Sequence, residues 1–401
     1  MNLSEGLTLE IEGHPTEFGA SRGFEVYLKG PSQGNDAATG ILIVVHNRGE
    51  AAGHTYYQEL RKDWADQFNV VVVGVNYLGS KASSKPDYRV VFTKTFMDYL
   101  ASQVPEDLKD SIIVNGEYSI SSVLSALIEQ EVLSVPELLP MVNDNQTPEE
   151  YWDFGFIQAM DIIYSFRVVQ ELCQQNDIPF NDKRAFLYGY GDGGHIVQMC
   201  GRLAPNSFAL IIDQAGKVMA YPRDLVPQES GIFSVEYLPG YQIKTLVTHP
   251  ELYSLDPDSD FYITRDMIQI RNLSRLNPYS ECKYIMLSHA EDIRSPESSR
   301  RYLTDKMTKA GIEVNHVELE RSAGDSSYDV DIKESFRKYC SEYIKVGSVN
   351  SVSRKTDTDF ALGTLLTYET ANGKYVIDYS GFVPTIKFYG PIIRLTRNDI
   401  I

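Results

Sequence analysis

The sequence predicts an α/β protein: a mostly parallel sheet flanked by helices, with a cap-like insertion and a β-rich C-terminal appendage. Three observations carry this. Two apolar runs, ILIVV (41–45) and VVVVGV (70–75), lack polar alternation, as expected of strands covered on both faces. Between them YYQELRKDWADQF (56–68) reads as an amphipathic helix, which completes a strand–helix–strand unit. Further on, AFLYGYGDGGHIVQMCGRL (185–203) passes from a short apolar strand through a glycine-rich corner into a second helix.

The elements follow in order. LTLEIEG and GFEVYLKG, near the start, alternate like paired strands separated by turn residues. After the first strand–helix–strand unit, residues 80–150 mix short helical patterns such as SISSVLSALIEQEVL with proline and polar breaks, and read as an insertion or cap. DFGFIQAMDIIYSFRVVQELC (153–173) has helical apolar spacing and leads to the glycine-rich corner. FALIIDQAG (208–216), KTLVTHP, KYIMLSHAED (283–292) and IEVNHVELE (312–320) are the next expected strands. FYITRDMIQIRNL, SSRRYLTDKMTKAG and DVDIKESFRKYCSEYI are the expected helices among and after them. Residues 1–345 are therefore read as one principal domain. The tail, 346–401, opens with a Ser/Thr-rich connector, and its Asn-Gly pair between β-rich runs signals a hairpin.

Composition narrows the function. With 55 acidic against 37 basic residues, the chain has a formal charge of −18, which repels nucleic acid and anionic membranes. Neither is expected as a partner. The longest apolar runs are strand-length, too short to span a bilayer. The four cysteines lack metal-ligand spacing and call for no disulfide; with no leader visible, a cytoplasmic location is expected. No histidine pair has the i, i+4 spacing of a helical metal site, no phosphate-binding loop appears, and neither metal nor cofactor is expected.

The glycine-rich corner is the informative motif. Gly-x-nucleophile-x-Gly is how an α/β-hydrolase places its nucleophile on a sharp turn between strand and helix. Gly189 and Gly193 fill the small positions, and the nucleophile position is Gly191, which has no side chain to attack with. A catalytic triad also needs an acid and a histidine. Asp292, after the KYIMLSHAED strand, suits the acid, and reads equally as an Asx-turn or helix cap. The loop where the histidine belongs, RSAGDSSYDVDIK, contains none. Asp192 is the alternative nucleophile; it has Gly194 two positions on but Tyr190 two positions back, where a small residue is needed. The turn His46-Asn47-Arg48-Gly49 stands where an oxyanion-hole loop would, so its backbone could bind an anion or carbonyl oxygen. Together with Gly191 and His195, it makes up the candidate ligand-binding set.

The segments YYQELRKDWADQFNVVVVGVNYLGS, DFGFIQAMDII, FALIIDQAG, FYITRDMIQI and KYIMLSHAEDIRSP, in this order, resemble a bacterial family of α/β-hydrolase-like proteins. Its members are often encoded near surface-glycan or flagellar-modification genes. The resemblance implies serine-hydrolase ancestry with serine at the elbow and histidine in the last loop. Of that triad only Asp292 carries over. The expected function is a non-catalytic binding or scaffold protein, its ligand a small molecule or glycan, with the tail offering a surface to a protein partner or a second copy. The competing expectation is an active carbohydrate esterase or deacetylase with a non-standard site involving Asp192.

Overall fold

Strand β3 (Gly40–Val45) and strand β4 (Val70–Val75) are buried at every position, on both faces, in the computed structural model of the chain. The structure describes residues 1–14, 22–80, 88–90, 101–102, 104–114, 117–119, 122–123, 126, 139–143, 155–218, 232–238, 241–247, 281–289, 292, 295–319, 332–369 and 373–389. It divides into two compact units, one of residues 1–82, 146–220 and 256–401, the other of residues 83–145 and 221–255.

The first unit holds an eight-stranded sheet. Strands β1 (Leu7–Glu12) and β2 (Gly23–Lys29) form an antiparallel hairpin, followed in chain order by β3 and β4. Strands β5 (Ala185–Tyr190), β6 (Leu210–Gln214), β7 (Lys283–His289) and β8 (Val314–Leu319) complete the sheet. The spatial order is β1-β2-β4-β3-β5-β6-β7-β8, and from β4 to β8 every pairing is parallel.

Helix α1 (Thr55–Phe68) starts at His54, whose ring accepts the Tyr56 N–H, and stops at Asn69 in the left-handed region. It lays Tyr57, Leu60, Trp64 and Phe68 against Leu42, Val44, Val70, Val72 and Tyr188. Each such side chain taken from water contributes about 1.5–3 kcal/mol. Helices α2 (Phe156–Gln175) and α3 (Asp192–Leu203) pack on each other, and helix α4 (Glu297–Lys309) lies on β7 and β8. Helix α5 (Ile332–Tyr339) adds Phe336, stacked on Trp64 at 4.0 Å between ring centroids.

The tail forms an antiparallel sheet of β9 (Leu365–Glu369), β10 (Lys374–Asp378) and β11 (Thr385–Tyr389), with Ala-Asn-Gly between β9 and β10. Asp359, before β9, accepts from the Asn206 N–H (2.9 Å), Asn206 Nδ2 (2.9 Å) and Ser207 Oγ (2.8 Å). Tyr379 Oη donates to the Leu203 carbonyl (2.7 Å), and Tyr375 packs on Phe156. The tail sheet is thus seated on α2 and the end of α3.

The second unit has its own sheet, with strands in the order Ile232–Leu238, Tyr241–Val247, Leu139–Asn143, Tyr88–Val90. The KTLV segment, expected in the main sheet, therefore belongs to a different one. Its partners are an antiparallel neighbour, Ile232–Leu238, and the parallel strand Leu139–Asn143. The expected helix FYITRDMIQIRNL, the loop RSAGDSSYDVD and most of SISSVLSALIEQEVL lie outside the described residues.

Candidate functional site at the strand switch point

The connection from β3 through α1 leads outward to β4, whereas β5 lies on the other side of β3. The carboxyl ends of β3 and β5 thus frame the point where the winding reverses, the place where open α/β sheets bind ligands. The loop after β3, residues 46–54, and the corner after β5, at Gly191, meet here.

The corner is a sharp one. Gly191 has φ 58° and ψ −121°, a conformation unfavourable for a residue with a side chain. Its N–H donates to the Gln214 carbonyl (2.9 Å), and α3 begins at the next residue. Gly189 and Gly193 are glycines for a different reason, close approach. A Cβ on Gly189 would run into the Gly193 carbonyl, and one on Gly193 would lie 2.6 Å from the His46 carbonyl oxygen. The turn therefore has the backbone of a nucleophile elbow.

Asn47 fills the space that a nucleophile would need. A Cβ at position 191 would lie 2.6 Å from Asn47 Oδ1 and 3.0 Å from Asn47 Cγ. The same Oδ1 accepts the Asp192 backbone N–H at 2.9 Å. In hydrolases of this type, the N–H after the nucleophile and one from the loop after β3 form the oxyanion hole. In that loop the Asn47 N–H donates to Glu50 Oε2 (3.3 Å), and the same carboxylate oxygen accepts the Tyr57 hydroxyl. Both N–H groups therefore have acceptors within the protein.

Asp192 stands at the first position of α3, its side chain 11% exposed, between Lys217 Nζ (3.1 Å) and Arg48 Nε (3.6 Å). Burial pushes its carboxyl up, but Lys217 and Arg48 outweigh that and hold it at about 2. His46 is buried and stacked on Tyr77 at 4.7 Å, and its Nδ1–H donates to the Asn47 carbonyl (2.8 Å). Burial lowers its imidazole to about 4, so the ring is neutral near pH 7. His195 is also buried, with Nδ1–H donating to the Lys217 carbonyl (2.8 Å). Gly49 is exposed, at φ 78° in the loop.

Asp292 follows β7, two strands from β5. Its Oδ1 accepts the N–H of Ser295, three residues on (3.2 Å), and closes a turn before α4. Ser295 Oγ donates to the Gly216 carbonyl (2.6 Å), which ties this turn to the loop carrying Lys217. The geometry thus gathers Asn47, Arg48, Gly191, Asp192 and Lys217 at the switch point. Lys217 carries no motif in the sequence, and its one signal is a place just past a buried strand. A second pair missing from the sequence reading is Asp213–Arg300, 3.1 Å apart and almost wholly buried, whose signal is an aspartate inside the apolar run LIIDQ.

A family model described as "Protein of unknown function (DUF2920)" matches residues 8–331. The chain belongs to DUF2920. The match starts in β1 and stops before α5, so the tail lies beyond the DUF2920 region. No curated protein matches the sequence. Among solved structures, similarity extends to a lipase/esterase from Lactobacillus plantarum, with 9% identity, 84% of this chain and 99% of that chain covered, and TM-score 0.44. It extends also to one of two fungal esterases from Rhizomucor miehei, with 13% identity, 79% and 75% covered, and TM-score 0.40. The acylaminoacyl peptidase of Pyrococcus horikoshii has 12% identity and TM-score 0.41, with 79% of this chain but 37% of the peptidase covered. The strand order and the strand–corner–helix turn at Gly191 make this DUF2920 chain an α/β-hydrolase-type fold.

Proposed function

We propose that the chain is a non-hydrolysing member of its fold, with the switch point kept for binding or scaffolding. The observation that carries this is Gly191. The elbow position has no side chain, and Asn47 lies against it, with Oδ1 on the N–H that would receive an oxyanion. Surface-glycan chemistry as the ligand class rests on the sequence resemblance alone. The test is turnover of short acyl esters such as p-nitrophenyl acetate, together with labelling by a fluorophosphonate. The expected result is hydrolysis equal to a buffer control and no labelled band. Losing a triad member ordinarily costs several orders of magnitude in rate.

The competing reading, an esterase or deacetylase acting through Asp192, is favoured by one observation: its carboxyl is held ionised at about 2. Against it, the carboxylate oxygens already face Lys217 and Arg48, which lowers their nucleophilicity. Turnover that survives Gly191→Ala and disappears in Asp192→Asn would establish that reading in place of the first.

A further inference from the structure

We propose that Asn47 is a built-in plug of the elbow. Its side chain occupies the space that a Cβ at position 191 would need and takes up the Asp192 N–H, so the loop after β3 closes the corner from within. This rests on reading Gly191 as the vacated nucleophile position, and adds that the inactive arrangement is held by a second residue, 144 positions away in the chain.

Two separate constraints act on position 191. The first is backbone conformation: φ 58° with ψ −121° strains any residue other than glycine, whatever surrounds it. The second is space. The built Cβ position lies 2.6 Å from Asn47 Oδ1 and 3.0 Å from Asn47 Cγ, inside non-bonded contact distance, so a side chain at 191 requires Asn47 to move. The loop is held to this position at several points. Asn47 Oδ1 accepts from Asp192 N–H (2.9 Å), Asn47 N–H donates to Glu50 (3.3 Å), and Tyr77 Oη donates to the His46 carbonyl (2.7 Å). Arg48, the next residue, reaches Asp192 at 3.6 Å. Strain at 191 is indifferent to residue 47, whereas the clash is not, so the two constraints separate in a double-mutant cycle.

The probe is a thiol, because a cysteine reacts with iodoacetamide without a partner base and a helix N-terminus favours its thiolate. The four native cysteines are buried, and the unmodified protein supplies the background rate. In Gly191→Cys, the plug is expected to force the thiol or the loop out of place. In Gly191→Cys combined with Asn47→Gly, labelling is expected to be about tenfold faster, since reaction no longer waits for the loop to open. The melting-temperature penalty of Gly191→Cys should also be smaller by about 2 °C or more in the Asn47→Gly background. Folding of the double variant alone, with Gly191→Cys insoluble, supports the plug in the same sense.

Equal labelling rates and equal penalties in the two backgrounds would overturn the proposal, leaving backbone strain as the whole reason for glycine. Should both cysteine variants fail to fold, Asn47→Gly alone decides it by amide hydrogen exchange. Asp192 N–H should exchange about tenfold faster once its acceptor is gone, and an unchanged rate overturns the plug. Ester turnover by the unmodified protein would sink the proposed function and leave the thiol comparison standing.

Discussion

Asp192 shows how one residue can read two ways until its neighbours are known. Next to an elbow it suggests a nucleophile; between Lys217 and Arg48 it is an anchored carboxylate. Its folded-state pKa, about 2, lies below the ordinary 3.8. The stabilisation it contributes is therefore complete above about pH 4 and is lost as pH falls toward 2. Asp192→Asn should cost about 2 kcal/mol at neutral pH, with the difference from the unmodified protein closing between pH 4 and pH 2 in denaturant titrations. His46 supplies the window above. Its pKa is lowered from 6.5 to about 4, because burial disfavours the charged ring. The neutral ring is compatible with the fold at pH 7, and stability falls as pH drops from 6.5 toward 4, by about 3 kcal/mol in total. A His46→Phe variant followed over the same range should lack that slope.

At the scale of elements, the carboxyl end of β6 and helix α4 are joined by the buried pair Asp213–Arg300. Arg300 reaches Asp213 Oδ2 at 3.1 Å, while the Gly216 N–H (2.8 Å) and Gln198 Nε2 (2.5 Å) also donate to that carboxylate. Removing one partner leaves a charge in the interior without compensation. Arg300→Ala should therefore lower stability by about 3–5 kcal/mol, measured by urea unfolding. Replacing both residues by apolar ones of similar volume should cost much less, since no orphaned charge remains. The loop bearing Lys217 hangs from this pair through Ser295 and Gly216, so Arg300→Ala should also loosen the switch-point cluster. Faster exchange of the Gly216 amide would register that loosening.

For the whole molecule, the tail is the part whose attachment can be tested cleanly. Asp359 is held by three donors from residues 206–207, Arg354 Nη2 donates to the Asp182 carbonyl (2.7 Å), and Tyr164 meets Phe382 edge-on. Deleting residues 346–401 should bare apolar surface on α2 around Phe156 and Tyr164. The expected outcome is a lower melting temperature and a larger mass by light scattering as truncated chains associate. Unchanged melting and mass would mean that these contacts contribute little. A protein partner or second copy bound through the tail remains a proposal that the same light-scattering comparison tests with the full chain.

What the sequence determined by itself was the set of strands and the corner at Gly191. Uninterrupted runs such as ILIVV and VVVVGV report burial directly, because burial on both faces is a property of each strand taken singly. Likewise the glycines at 189, 191 and 193 report close approach and positive φ within a few residues of chain. The pairings between distant residues come from the folded chain alone. Asn47 reaches the Asp192 N–H across 145 residues, Lys217 closes on the same carboxylate, and KTLV pairs in the second sheet. Hydrophobic period says that a strand is covered but not by which neighbour, and a lone asparagine after a strand looks like any other turn residue. Those pairings exist only once the sheet order brings the carboxyl ends of β3, β5 and β6 side by side.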